Sequence, residues 1–229
     1  MMKNRCPEAW VLPGLSVAVR VGMASVSEIL AALNTDLLSR QELERASRYR
    51  RMEDARRFMA SRLFLRELLG RHLGLASAEI LFIAGEGGKL SADLPPGFPP
   101  VLFSLSRSGD FCAVAMSGCA EVGVDIERVD FGLNWEPAAK AWLSGGENLA
   151  LRSRKEESSR RVAFFRLWCA REAVSKVLGR GLALDSREGS LEELLHGQPI
   201  EAVFAGRKIS VCEPEAPAGY RLAVAASGV

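Results

Sequence analysis

The chain has 229 residues, 48% of them hydrophobic, and a formal net charge of only +2, which predicts a globular protein with a real core in one large or two small domains. No apolar run approaches the roughly 20 residues of a transmembrane helix, and MMKNRCPEAWVLPGL interrupts its apolar residues with Pro and Glu where a signal peptide needs continuity, so a cytoplasmic protein is expected. Five scattered cysteines (Cys6, Cys112, Cys119, Cys169, Cys212) without C-x-x-C spacing read as reduced core thiols; with His72 and His196 the sole histidines, any metal is expected to be a hard cation held by oxygen.

In chain order, Leu15 to Gly22 alternates as a first strand with Val17, Val19 and Val21 on one face. A short helix near Ser27 to Leu33 follows, capped by Ser25 or Ser27. A long helix is expected from about Ser39 to Leu73, opened by a capping box of Ser39 and Glu42 and striped by Phe58, Leu63, Phe64, Leu65, Leu68 and Leu69. Its residues 40 to 71 are dense in arginine. They read either as a solvated face with i,i+4 pairs such as Glu44 with Arg48 and Glu53 with Arg57, or as an anion site.

A strand at Ile80 to Ile83 precedes the turn GEGGKL, which lacks Walker spacing, and the proline cluster DLPPGFPP. Two strands near Val101 to Ser106 and Phe111 to Ser117 are joined by a tight turn at Ser108, Gly109 and Asp110. Then come a strand at Val122 to Glu127, a helix near Trp135 to Leu143, a second long helix from about Ser158 to Leu178, and strands at Glu201 to Ala205, Lys208 to Cys212 and Tyr220 to Ala226. The order strand, helices, strands is thus played twice without a letter-by-letter repeat, and it fits an α+β fold of mainly antiparallel strands beside long helices.

The strand EVGVDIERVD sets Asp125 and Glu127 on one face, an unfavourable pair unless water, a basic partner or a bound cation neutralises it. On the second long helix, Trp168, Glu172 and Lys176 share a stripe at i, i+4 and i+8; Glu172 with Lys176 reads either as a surface ion pair or as part of a site. Three carboxylates from a strand and a helix make a sensible magnesium set, and a lysine beside them suits charge building on a leaving oxygen.

GVDIE (Gly123 to Glu127) and WCAREAVSKVLGRGL (Trp168 to Leu182), some forty residues apart, resemble the signature of 4'-phosphopantetheinyl transferases of the long, pseudo-dimeric type, W-x-x-K-E-A-x-x-K-x-x-G-x-G-L in the second motif. FSLSRSGDF is similar to that family's F-N-x-S-H-S-G, and Gly88-Lys89 to its G-K-P. The resemblance implies two similar α/β halves, here 1–118 and 119–229, with coenzyme A between them as co-substrate and an apo acyl or peptidyl carrier protein as partner. It implies magnesium, or manganese, on Asp125, Glu127 and Glu172, a base at Glu172 or a water it orients, and Lys176 on the departing phosphate. It also implies coenzyme A phosphate contacts at Arg50, Arg57, Lys89, Ser106 and Arg107. A monomer is expected, since one chain supplies both halves.

Two departures stand out: Arg107 replaces the family's usual histidine, and Leu90 the proline of G-K-P. Arginine contacts phosphate with permanent charge but gives up no proton. The competing readings are a coenzyme A or carrier binder that has lost catalysis, and a nucleic-acid binder, which the few aromatics of the arginine-rich segment disfavour. Phe131, Trp135, Trp142 and Leu143 either receive the carrier or close the core of the second half.

Overall fold

The computed structural model of the chain describes residues 9–11, 17–85, 89–181, 188–197 and 199–228. The first part of the chain forms β1 (Ala9–Val11), β2 (Ala18–Ser25), α1 (Val26–Ala32), α2 (Arg40–Ser47), α3 (Met52–Leu73), a small hairpin of β3 (Leu81–Ala84) and β4 (Leu90–Asp93), then β5 (Leu102–Ser108) and β6 (Phe111–Ser117). The second part forms β7 (Val122–Arg128), α4 (Glu136–Trp142), α5 (Gly145–Arg152), α6 (Glu157–Leu178), β8 (Ile200–Phe204), β9 (Arg207–Cys212) and β10 (Tyr220–Ser227). Two four-stranded antiparallel sheets result, ordered β1-β2-β6-β5 and β7-β10-β9-β8, so the α+β class expected from the sequence is the one observed.

Each sheet buries one face under a long helix. Leu65, Leu68 and Leu69 of α3 pack on Phe103, Val114 and Met116, while Leu167, Ala170, Ala173 and Val174 of α6 pack with Ile209, Val211, Ala223 and Ala225. The opposite faces meet each other: Val17, Val19 and Val21 interleave with Ala113 and Ala115 from the first sheet and with Val122, Val124, Ile126, Leu222 and Val224 from the second. Period-two alternation on β2 and β7 is what supplies these inner faces.

The long helix expected from Ser39 to Leu73 is broken in two at residues 48–51. Unbroken, it would hold Glu42 and Arg66 roughly 36 Å apart at 1.5 Å per residue. Instead Ser47 turns its hydroxyl back onto Glu44 O, Tyr49 packs on Phe58, and the two buried side chains pair at 2.8 Å. Glu44 consequently pairs with Arg40 at 2.9 Å rather than with Arg48, whereas Glu53 and Arg57 do approach, at 3.6 Å. The capping box at Ser39 and Glu42 forms as read, as does one at Ser25 and Glu28. The sequence reading lacked α5, β4 and β1; residues 86–88 of the glycine-rich turn, and the Leu15 and Ser16 start expected for the first strand, lie outside the described residues.

The duplication that no letter repeat betrayed is visible in geometry. Ser39, Glu42, Met52, Arg66 and Gly74 map at one constant offset onto Ser144, Glu147, Glu157, Arg171 and Gly179: two capping boxes, two 22-residue helices, and two buried arginines paired with the capping glutamate 24 residues earlier. Both pairs are nearly sheltered from solvent, at 2%/10% and 6%/0% side-chain exposure. A buried ion pair of this kind costs desolvation and is kept only with good geometry; the backbone acceptors Ile80 O and Gly189 O help to supply it.

Candidate functional site

β5 and β7 are edge strands of different sheets that run side by side in the same direction, joined by serine hydroxyls instead of a backbone ladder. Ser104 Oγ accepts from Val124 N at 3.1 Å, Ser106 Oγ donates to Asp125 Oδ1 at 2.8 Å, and Ser108 Oγ donates to Glu127 Oε2 at 2.6 Å. The three serines share a strand face at i, i+2 and i+4, so their alternation in FSLSRS aims all of them across the seam. On the other side of β7, α6 approaches so closely that a Cβ at Gly123 would run into the Ala173 carbonyl oxygen, which explains the glycine before the acidic pair.

That approach brings Lys176 onto Asp125. Its ammonium donates to Asp125 Oδ1 and to Val124 O, each at 2.8 Å. Asp125 is 4% exposed, and its second oxygen, Oδ2, is buried with no hydrogen-bond partner, although the Cys169 thiol, a weak donor, lies against the same carboxylate. A buried carboxylate oxygen without a partner carries an unmet demand of about 1–3 kcal/mol. Burial pushes Glu127 up to about 7, with Asp125 and Glu172 adding repulsion against the pull of Ser108 and Lys176. Glu172 is likewise raised, by burial first and then by Asp125.

The three carboxylates thus share one electrostatic environment, but among the described residues no group of three His, Cys, Asp or Glu side chains converges on one metal position. Like charges spread apart and take the donors at hand, Lys176 for Asp125 and Ser108 for Glu127. The donor set, all carboxylate oxygen with one buried oxygen left over, fits a hard divalent cation.

The duplication clarifies why this corner is special. The offset that relates the halves carries Arg20 and Gly22 of β2 onto Asp125 and Glu127, and Glu67 and Arg71 of α3 onto Glu172 and Lys176. In the first half Arg71 stays on its own helix, paired with Glu67 at 2.6 Å. In the second half the acidic strand draws Lys176 across the gap instead of leaving it in an i,i+4 pair with Glu172.

The arginine-rich segment borders the seam. Arg107 at the end of β5 is exposed, donates to the Tyr49 hydroxyl at 3.3 Å, and lies 5.9 Å from the Phe58 ring centre; Arg45 and Arg62 stand 5.4 and 5.2 Å from the same ring. Arg62, absent from the sequence reading, is 7% exposed, and its Nε and Nη1 lack partners. Burial pulls it down to about 10, against the attraction of Glu42 and with the repulsion of Arg45 and Arg107 adding to the fall. An open depression of about 640 Å³ lined by Gln41, Glu44, Arg45, Arg48 and Tyr49 lies alongside. Two further arginines beside a buried guanidinium whose Nε and Nη1 lack partners are an arrangement whose chemistry suits an anion.

The remaining expected phosphate contacts lie elsewhere or are engaged. Arg57 donates to Gly109 O at 2.8 Å and to Asp54 at 3.2 Å; Lys89 pairs with Glu121 at 2.6 Å beside a second depression; Arg50 is exposed with no hydrogen bond among the described residues. Trp135 and Leu143 close the core of the second half, Trp142 packs edge-on to Trp168, and Phe131 is 65% exposed. Three thiols behave as expected of core groups, burial pushing Cys112 and Cys212 up to about 12 and Cys169 well above its ordinary range; Cys119, expected in the core with them, is exposed because it lies in the loop after β6, and Cys6 lies outside the described residues. No helix among the described residues is long and apolar enough to cross a membrane.

Comparison with known proteins divides the chain at the same place as the sheets. A family model described as "4'-phosphopantetheinyl transferase superfamily" matches residues 121–225, and one described as "4'-phosphopantetheinyl transferase, N-terminal" matches residues 24–119. The chain is 34% identical over 146 residues to 4'-phosphopantetheinyl transferase HetI of Nostoc sp., a match covering 64% of this chain and 61% of that protein. It is 28% identical over 191 residues to 4'-phosphopantetheinyl transferase Sfp of Bacillus subtilis (83% and 82%), and 26% identical over 190 residues to 4'-phosphopantetheinyl transferase gsp of Aneurinibacillus migulanus (80% and 74%). The chain thus spans 61% of the length of the Nostoc relative and 82% of the Bacillus one.

Proposed function

The chain belongs to the 4'-phosphopantetheinyl transferase superfamily, and on that premise we propose that it moves the 4'-phosphopantetheine arm of coenzyme A onto a serine of an apo acyl or peptidyl carrier protein, releasing 3',5'-ADP. The observation that carries the reading is Asp125, a buried carboxylate held at one oxygen by Ser106 and Lys176 and left without a partner at the other. Asp125, Glu127 and Glu172 would hold magnesium, with manganese a substitute; bound there, the ion would neutralise the pyrophosphate and the charge that develops on it. Glu172, its carboxyl raised by burial, takes the proton of the carrier serine directly or through a water. The serine oxygen bonds to the phosphorus that bears the pantetheine arm, and the phosphoanhydride bond to 3',5'-ADP breaks. Lys176 meets the leaving phosphate.

The halves divide this work: 1–118 supplies the phosphate-binding cations and 119–229 the acidic site. Arg45, Arg62 and Arg107 are the best-placed phosphate binders, with Arg50, Arg57 and Lys89 at the margins. The setting is a monomer in the cytoplasm. The test is mass spectrometry of a panel of apo carrier proteins incubated with this protein, coenzyme A and magnesium, with and without chelator. Gain of one phosphopantetheine mass that chelator abolishes supports the transfer. No gain on any carrier while coenzyme A still binds favours a binding protein, the reading to which Arg107 in place of the family's histidine points.

A further inference from the structure

One hydroxyl in the seam carries no role in the reaction as proposed. Ser108 Oγ donates to Glu127 Oε2 at 2.6 Å and accepts from the backbone N–H of Arg128 at 3.1 Å. An amide N–H can only donate, so Arg128 occupies a lone pair of the hydroxyl and leaves its proton for the carboxylate. Glu127 is therefore tethered at one oxygen, and its other oxygen, Oε1, makes no hydrogen bond among the described residues. Asp125 repeats the pattern two residues earlier: Oδ1 is held and Oδ2 is unpartnered.

The backbone that carries Ser108 is itself held from three sides. The next residue, Gly109, accepts from Arg57 Nε on α3 at 2.8 Å. Asp110 donates its N–H to the Tyr220 hydroxyl on β10 at 3.1 Å and accepts from Val26 N at 2.7 Å. Gly109 sits at φ 53°, and a Cβ there would strike the Tyr220 hydroxyl, so this position of the turn requires glycine. Elements from both halves thus fix the hydroxyl that meets Glu127.

We infer that Ser108 is a positioning residue: pinned by the Gly109–Asp110 turn, it tethers Glu127 Oε2 and thereby presents Oε1 to the divalent cation that Asp125 and Glu172 share. The inference rests on the proposed function of those three carboxylates and deepens it. A merely structural seam bond is the competing explanation, and Ser104 is its control. That serine sits on the same strand face, is buried, and bonds Val124 N while touching no carboxylate.

The experiment uses the full chain as wild type, Ser108→Ala, Ser108→Thr and Ser104→Ala. Manganese binding is read from the loss of the free-ion electron paramagnetic resonance signal, thermal unfolding is recorded in chelator, and transfer is titrated with magnesium. Ser108→Ala is expected to weaken manganese binding and raise the magnesium needed for half-maximal transfer by about tenfold, the scale seen when a ligand's hydrogen-bond partner is removed. Ser108→Thr restores most of both, and Ser104→Ala keeps the wild-type manganese affinity even where it lowers the melting temperature. Should Ser108→Ala fail to fold, Ser108→Cys, a weak donor of similar size, carries the same expectation. Wild-type manganese affinity in Ser108→Ala, or equal weakening in Ser104→Ala, overturns the positioning role alone. A wild-type protein that binds no manganese overturns both the role and the assignment of the carboxylates.

Discussion

Replacing Lys176 by Met tests the centre of the site through stability, without any substrate. The side chain keeps its length and apolar stem but loses the ammonium that Asp125 Oδ1 and Val124 O share, while Asp125 stays 4% exposed with Oδ2 already unpartnered. Removing one member of a fully buried pair costs about 3–5 kcal/mol. Lys176 is 29% exposed and Ser106 still donates to Asp125, so the loss should fall to about 2–3 kcal/mol. For a chain of this size that is a fall in melting temperature of roughly 5–10 °C. Asp125→Asn removes the charge Lys176 neutralises, so the double variant should be more stable than the sum of the single losses by at least about 1 kcal/mol. Urea unfolding of all four proteins in chelator measures the cycle. Additive losses, or a Lys176→Met variant within about 0.5 kcal/mol of wild type, would refute the claim that this lysine neutralises Asp125.

Other groups give separate tests. Glu127 is raised to about 7 from an ordinary 4.5 chiefly by burial, so the folded chain keeps a proton there that the unfolded chain releases; its contribution to stability is complete below about 4.5 and lost as pH rises to about 7. Melting temperature against pH in chelator should therefore be flatter across that window in Glu127→Gln, and an unchanged slope would place the titration elsewhere. Arg62→Gln should weaken coenzyme A binding about tenfold in calorimetry while leaving the melting temperature equal or higher, because it deletes a buried charge that lacks partners; lost stability with unchanged binding would make Arg62 only a platform for Phe58 and Phe82. Glu147→Ala removes the acceptor of Arg171 and of the Ser144 and Leu191 amides at once, and should cost about 3–5 kcal/mol in urea unfolding. A loss under about 1 kcal/mol would show that the capping box is incidental to the fold.

The parts read correctly from sequence were those governed by short-range rules. Val122 to Glu127 and the helix ending at Leu178 had clean periods of two and 3.6 residues, and the Ser39 capping box needed only residues three apart. The unbroken helix from Ser39 to Leu73 went wrong because its arginine-rich middle satisfies a helical pattern equally well with or without a bend. The bend follows from Glu42 meeting Arg66 and Tyr49 meeting Phe58, contacts that exist only once α2 folds back. Short elements such as α5 and β4 carry too few apolar residues to show a period.

For the site, the residue types were legible and their partners were not. Sequence alone determined which groups face which way: Asp125 with Glu127 on one strand face, and Glu172 with Lys176 on one helix stripe; the strand expected to end at Ser106 runs on through Ser108 in the structure, and only that extension puts Ser104, Ser106 and Ser108 on a common face. It also determined, through GVDIE and WCAREAVSKVLGRG, the family. Tertiary structure decided that Lys176 leaves Glu172 for Asp125, that Ser108 rather than solvent meets Glu127, and that Arg62 is the buried, unpaired cation of the arginine cluster. Side-chain direction is a property of the local backbone, whereas a partner 19 or 51 residues away is set by how sheets and helices pack, and that is where charge is buried and chemistry becomes possible.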